Sequence, residues 1–180
     1  KCNLGATSES GYGDYYMWGS TTPNTSTTCD WEHAPFNGGA SSYNSTNFDQ
    51  VKDTVCPNGV LAKGYDAAYK ATEGIARMPT QPEFQELYDN TNKSWTIINS
   101  VNGMKFTSKT DTSKYIFIPA AGSRSGSSPA VQGNSGLVWS SSLYTESYDS
   151  AFHLEFGADA ENFYPNADSL RHKGLSVPSL

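Results

Sequence analysis

A chain of 180 residues is long enough for one domain with a real core, since a domain of this size buries roughly 70% of the surface its unfolded chain exposes. The net charge of −6 and the lack of any Lys/Arg run exclude a general nucleic-acid binder, whose hold on a phosphate backbone rests on clustered cations. No stretch nears the ~20 consecutive apolar residues that span a bilayer, and abundant Gly, Ser, Thr and Asn beside 13% aromatic residues describe a loop-rich domain with a few packed strands, not a helical bundle.

The chain opens at Lys1 without a signal-peptide pattern and reads as mature or trimmed. Residues 1 to 65 carry few periodic apolar runs apart from a short strand expected around Tyr15, Tyr16, Met17 and Trp18. The segment from Thr21 to Asn58 reads as a long irregular excursion, ordered by the scattered aromatics Trp31, Phe36, Tyr43 and Phe48. Cys2, Cys29 and Cys56 all fall in this first third, and whether Cys29 and Cys56 are bridged stays open. No pair has C-x-x-C spacing and no His stands at ligand distance, so a structural zinc site is not expected. The sequons at Asn24, Asn44 and Asn92 are what chance yields in a chain this rich in Asn and Ser.

Two short helices come next. The first runs from Asp66 to Glu73 and stops at Gly74; the second starts on the capping-box pair Thr80 and Glu83, with Pro82 in its first turn and Phe84, Leu87 and Tyr88 at i, i+3, i+4. Strands are expected over Trp95 to Ile98 and over Tyr115 to Ile118, the latter closed by Pro119, with a turn through Asn102-Gly103 between them. From Gly136 onward, short strands alternate with polar loops. Phe152, Leu154 and Phe156 point to a buried face and His153 and Glu155 to the other, and Gly174 to Val177 forms a last strand. Two helices followed by many short strands give an α+β domain.

Residues 137 to 170 hold six acidic residues (Glu146, Asp149, Glu155, Asp159, Glu161 and Asp168) and no Lys or Arg. Among them stand Tyr144, Tyr148, Phe152, Phe163 and Tyr164. Tyrosine gives large, rigid contact area and a hydroxyl at low entropic cost, and acidic neighbours select cationic or polyhydroxylated partners. The competing reading makes half of these aromatics core and the carboxylates merely solvated.

The segments Cys2-Asn-Leu-Gly-Ala-Thr-Ser8, Tyr12-Gly-Asp-Tyr-Tyr-Met-Trp-Gly19, Arg77-Met-Pro-Thr80 with Glu83-Phe84 and Glu86-Leu87, and Trp95-Thr96 with Val101-Asn-Gly103 carry a resemblance. So do Ile116-Phe-Ile-Pro-Ala-Ala-Gly122 with Arg124, Trp139-Ser-Ser141, Ala151, Leu154, Phe156, Arg171 and Gly174-Leu-Ser-Val177. In this order they resemble the Bacteroides-type variable proteins of diversity-generating retroelements and their non-variable paralogues, nearly end to end except over residues 21 to 60.

The resemblance implies a C-type-lectin-like fold of the formylglycine-generating-enzyme branch, secreted or displayed on a bacterial cell surface or phage virion. It implies a scaffold of Trp139, Ser140, Ser141, Ala151, Leu154, Phe156, Arg171, Gly174 and Ser176 holding out a ligand face between about residues 137 and 173. The candidate contacts are Leu137, Tyr144, Glu146, Tyr148, Asp149, Phe152, His153, Glu155, Glu161, Phe163, Tyr164, Asn166, Asp168 and His172, and the partner a protein or glycan. The family continues after Ser-Val with Arg, whereas this chain reads Val177-Pro-Ser-Leu180, which leaves room for a non-variable structural or adhesin domain.

Catalysis is not expected. The related enzymes rely on late cysteines and none follows Cys56; Gly122-Ser-Arg-Ser-Gly126 lacks the strand–turn–helix setting of a nucleophile elbow; and His33, His153 and His172 have no metal-site spacing. The sugar-binding calcium triplets of the lectins proper are missing, since Gln81-Pro-Glu83 begins a helix. Calcium gathered by Asp and backbone oxygens needs no linear motif and is the one cofactor left open.

Overall fold

Side chains cap two of the helix starts, at Asp66 and at Thr80. In a computed structural model describing residues 2–24, 28–36, 48–159 and 163–179, α1 (Lys52–Val55) leads into a 3-10 turn over Pro57–Gly59. Asp66 caps α2 (Ala67–Ala71) by accepting from the Tyr69 N–H at 2.9 Å, and its carboxylate also takes the Met78 N–H at 3.0 Å. Thr80 precedes α3 (Gln81–Asn90); its N–H and hydroxyl both donate to the Glu83 carboxylate, at 2.8 and 2.9 Å, which satisfies an otherwise orphaned N-cap donor. Both expected helices therefore stand, the first shortened to one and a half turns between its cap and Thr72.

Among the described residues the strands form three antiparallel three-stranded sheets. One holds β1 (Thr91–Ile98), β2 (Val101–Ser108) and β3 (Tyr115–Pro119) in that order. A second sets β4 (Ser123–Ser125) between β5 (Ser128–Ala130) and β9 (Gly174–Leu175). The third orders β6 (Ser135–Leu143), β7 (Ser150–Gly157) and β8 (Phe163–Leu170). The class is thus α+β, with few short helices and small antiparallel sheets.

Two sequence expectations change. The first hairpin turns at Asn99 and Ser100, whose φ values of 51° and 67° fit a two-residue type I′ loop, and Asn102 and Gly103 lie inside β2. Glycine is needed at 103 for close approach instead: a Cβ there would stand 2.4 Å from the Ile118 carbonyl oxygen and 2.5 Å from the Phe117 ring. The expected strand at Tyr15 to Trp18 is a single bridge, Tyr16 to Leu175, with N–H···O bonds of 2.9 and 3.0 Å in the two directions.

Two apolar clusters lie on either side of the β6–β7–β8 sheet. The first gathers Trp18, Phe48, Leu61, Met78, Trp139, Leu143, Ala151 and Leu175; the second gathers Phe84, Met104, Phe106, Ile118, Val138, Leu154, Phe156 and Phe163. Since alternate residues of a strand face opposite ways, Trp139 feeds one cluster and Val138 the other. The two indoles fasten the early chain to β6: Trp139 Nε1 donates to the Tyr16 carbonyl at 2.8 Å, and Trp18 Nε1 to the Ser140 carbonyl at 2.9 Å. Within the 21–58 excursion, Phe36 and Phe48 pack on the first cluster and Trp31 on a small one with Met17 and Cys29, while Tyr43 and the Asn44 sequon lie outside the described residues. Asn24 is buried, and its Oδ1 accepts from the Met17 N–H.

Cys29 and Cys56 are free thiols in different clusters. Burial pushes each up to about 11, so neither is a thiolate at neutral pH. In a thiol titration of the native protein, half-buried Cys2 is expected to react first, and unfolding in guanidinium without reductant should release the other two. Two thiols that stay silent after unfolding would mean a disulfide.

Candidate functional site

The register of the β6–β7–β8 sheet decides where the predicted contacts lie. Leu137 pairs with Glu155, and Glu155 with Tyr164, so these three form one cross-strand row. Phe152, an odd number of positions from Glu155, pairs with Asp168 on the opposite face, along which Leu154 and Phe156 run into the second cluster. The predicted residues therefore do not make one continuous face. They divide between two faces and the loops beyond them.

The most chemically distinctive group is Tyr144, Glu146, Phe152 and Asp168. Tyr144 meets Phe152 edge-on, with ring centroids 5.2 Å apart and planes at 87°, a favoured aromatic geometry. The Tyr144 hydroxyl donates to Glu146 Oε2 at 2.9 Å. That bond, followed by desolvation and the charges of Glu146 and Asp168, raises the phenol above its ordinary pKa and keeps it protonated. Phe152 and Tyr144 are half-buried, Glu146 and Asp168 exposed. An aromatic corner with carboxylates around it is thus built from the β6–β7 loop, β7 and β8.

On the other face, Tyr164 is 47% exposed and Asn166 is exposed beside it. Glu155 is half-buried, and the neighbouring His153 imidazole, ahead of the opposing cost of burial, holds its carboxyl below the usual range; Lys173 adds to the effect. Around the adjoining loops, Tyr148 packs towards Phe48, with centroids 6.4 Å apart and the Lys52 ammonium 4.9 Å from its ring. Asp149 accepts from the Ser147 hydroxyl. His172 lies against Trp31 at 4.4 Å, and its burial, with Lys173 nearby, lowers the imidazole pKa.

Two predicted contacts are buried. His153 is 2% exposed: alternation does turn it away from Phe152 and Leu154, but the first cluster covers that face too, and it sits 6.0 Å from Trp139. Its Nε2 stands 3.4 Å from Glu155 Oε2, and neither ring nitrogen has a hydrogen-bond partner among the described residues. Phe163 is core, paired with Phe156 and stacked 4.9 Å from Tyr88 of α3. A β8 strand docked under α3 had no distinct sequence signal, because Pro165 and an extra β8 residue between the pairs at His153 and Glu155 break its period. Glu161 lies outside the described residues.

Among clefts that sequence reasoning did not place, one of about 340 Å³ lies between Val60–Lys63, α2 and the turn that follows it. Among the described residues no three His, Cys, Asp or Glu side chains come together as a metal-ligand set, and no helix is long and apolar enough to cross a membrane. No protein-family model matches the chain, and no curated protein or solved structure matches it either.

Proposed function

We propose that this chain is a non-catalytic binding domain that recognises cationic groups of a protein or glycan partner through the Tyr144, Glu146, Phe152 and Asp168 corner. The observation that carries this reading is the arrangement of two aromatic rings and two carboxylates at one exposed site of an otherwise well-packed sheet. Rings supply apolar area and a negative quadrupole face, and the carboxylates supply charge, the combination that holds an ammonium or guanidinium.

The wider proposal is a C-type-lectin-like domain of the retroelement-linked kind, acting at a bacterial surface or on a phage virion. Its support is the sequence resemblance, the α+β class with small antiparallel sheets, and the burial of the expected scaffold residues from Trp139 to Ser176. One observation favours a non-variable relative instead. Pro178, where the resemblance breaks, is buried and bridges Asn3, so the departing residue is itself packed into the fold. A reverse-transcriptase gene and a template repeat beside the coding sequence would mark a diversified protein, and their absence the non-variable one.

A displayed random-peptide library tests the site. The parent protein should enrich Lys- and Arg-bearing peptides, and Tyr144→Ala, Phe152→Ala and Asp168→Asn should each lose that enrichment while staying within about 1 kcal/mol of parental stability. Selection of neutral or acidic peptides would end the cation reading, and collapse of the fold in the alanine variants would make the corner core.

A further inference from the structure

We infer that the cleft between Val60–Lys63, α2 and the turn at residues 73–77 is a second binding site, for a small organic monocarboxylate with an apolar body. The cleft encloses about 340 Å³, within the range of roughly 300–1,000 Å³ typical of small-ligand sites.

Its walls are fixed. Ser141 of β6 forms the floor, its carbonyl taking the Leu61 N–H at 2.9 Å while its own N–H donates to the Pro79 carbonyl at 2.7 Å. The far wall is a turn held in the left-handed region at Glu73 and Gly74, with φ of 53° and 89°. Gly74 N–H donates to the Tyr69 carbonyl at 2.8 Å, and the Thr72 hydroxyl accepts the Ala76 N–H at 2.9 Å. A Cβ on Gly74 would press on the Tyr69 ring at 3.2 Å, so glycine keeps that ring in place.

This rigid turn holds Ile75 91% exposed at the rim. Ile75 thus adds apolar side-chain area at the mouth of the cleft.

The charge of the cleft is resolved by seeing which groups are already occupied. Asp66 is buried and spent on the Tyr69 and Met78 N–H groups. Arg77 is held by Glu83 through both terminal nitrogens, at 2.8 and 2.5 Å. Lys63 remains, with its ammonium 5.3 Å from the Tyr69 ring centroid and no carboxylate partner among the described residues. In a chain of net charge −6, an available cation beside apolar walls selects an anion that also offers apolar surface.

3-Phenylpropionate is the probe, followed by amide NMR on the whole chain, with phenylpropylamine as the cationic counterpart. The acid should shift the amides of Lys63 and Gly74–Arg77 saturably, and the amine should leave them in place. Lys63→Gln should weaken the acid roughly tenfold, the value of one charge-assisted contact, and Ile75→Ser should weaken it less. Asp168→Asn, in the corner proposed above, should not change it, which separates this site from that one. Shifts confined to other regions, an equal response to the amine, no response at millimolar acid, or an unaffected Lys63→Gln would each overturn the inference.

Discussion

Trp139→Ala is expected to cost about 3–5 kcal/mol in guanidinium unfolding, the range for truncating a fully buried Trp. Against a total stability of roughly 5–15 kcal/mol, such a loss decides whether the domain folds at all. Trp139 is fully buried in the first cluster, and its indole N–H is the tie from β6 to Tyr16. The Tyr16 carbonyl also accepts the Leu175 N–H at 3.0 Å, so removing the indole leaves a cavity but no orphaned acceptor. Trp139→Phe should therefore cost about 1 kcal/mol for the lost bond plus a modest volume term. Combined Trp139→Ala and Trp18→Ala should cost less than the sum of the two, because each indole bonds beside the other and both lie in one cluster. Additive losses, or a Trp139→Ala variant close to parental stability, would mean that the two indoles do not clamp the early chain to β6.

What was legible in the sequence tracks how local its cause is. The Thr80–Glu83 pair acts within three residues and marks the second helix in the sequence, and the first is legible as a short segment stopped at Gly74, with Asp66 acting three residues on as its cap. Alternation in Phe152 to Phe156 was also read correctly, yet it says only that the two sets of side chains face opposite ways. Whether the second face is wet depends on Trp18 and Leu175, far away in sequence, coming to cover it, so alternation alone places His153 among the candidate contacts while the fold buries it. The Asn102-Gly103 signal failed for a related reason. Glycine serves a left-handed turn and a tight backbone approach equally well, and only the Phe117 ring across the strand tells the two apart. The cluster at Tyr144, Glu146, Phe152 and Asp168 was visible as composition. Its geometry, and its separation from Leu137, Glu155 and Tyr164, needed the strand register.

Arg171→Ala is expected to lose on the order of 3 kcal/mol, the sum of a stripped carbonyl and a buried cation–π contact. The loss should be spatially selective. Arg171 is 2% exposed; its Nε donates to the Tyr148 carbonyl at 2.7 Å, its backbone N–H to the Asp149 carbonyl at 2.8 Å, and its guanidinium lies 4.0 Å over the Phe48 ring. Its own carbonyl accepts the Trp18 N–H at 3.0 Å. One side chain thus anchors the loop that carries Glu146 and leads into Phe152, so the proposed binding corner depends on a residue outside it. Hydrogen exchange should quicken across residues 144–150 in Arg171→Ala, while the β1–β2–β3 sheet keeps its protection. Arg171→Lys should restore little, since an ammonium has neither the planar stacking surface nor an Nε–H directed at Tyr148. Enrichment of cationic peptides should fall in both variants even at temperatures where they remain folded. Uniform loss of protection across all three sheets would instead make Arg171 a plain core residue, and full rescue by lysine would mean that its charge, and not its fork, holds the loop.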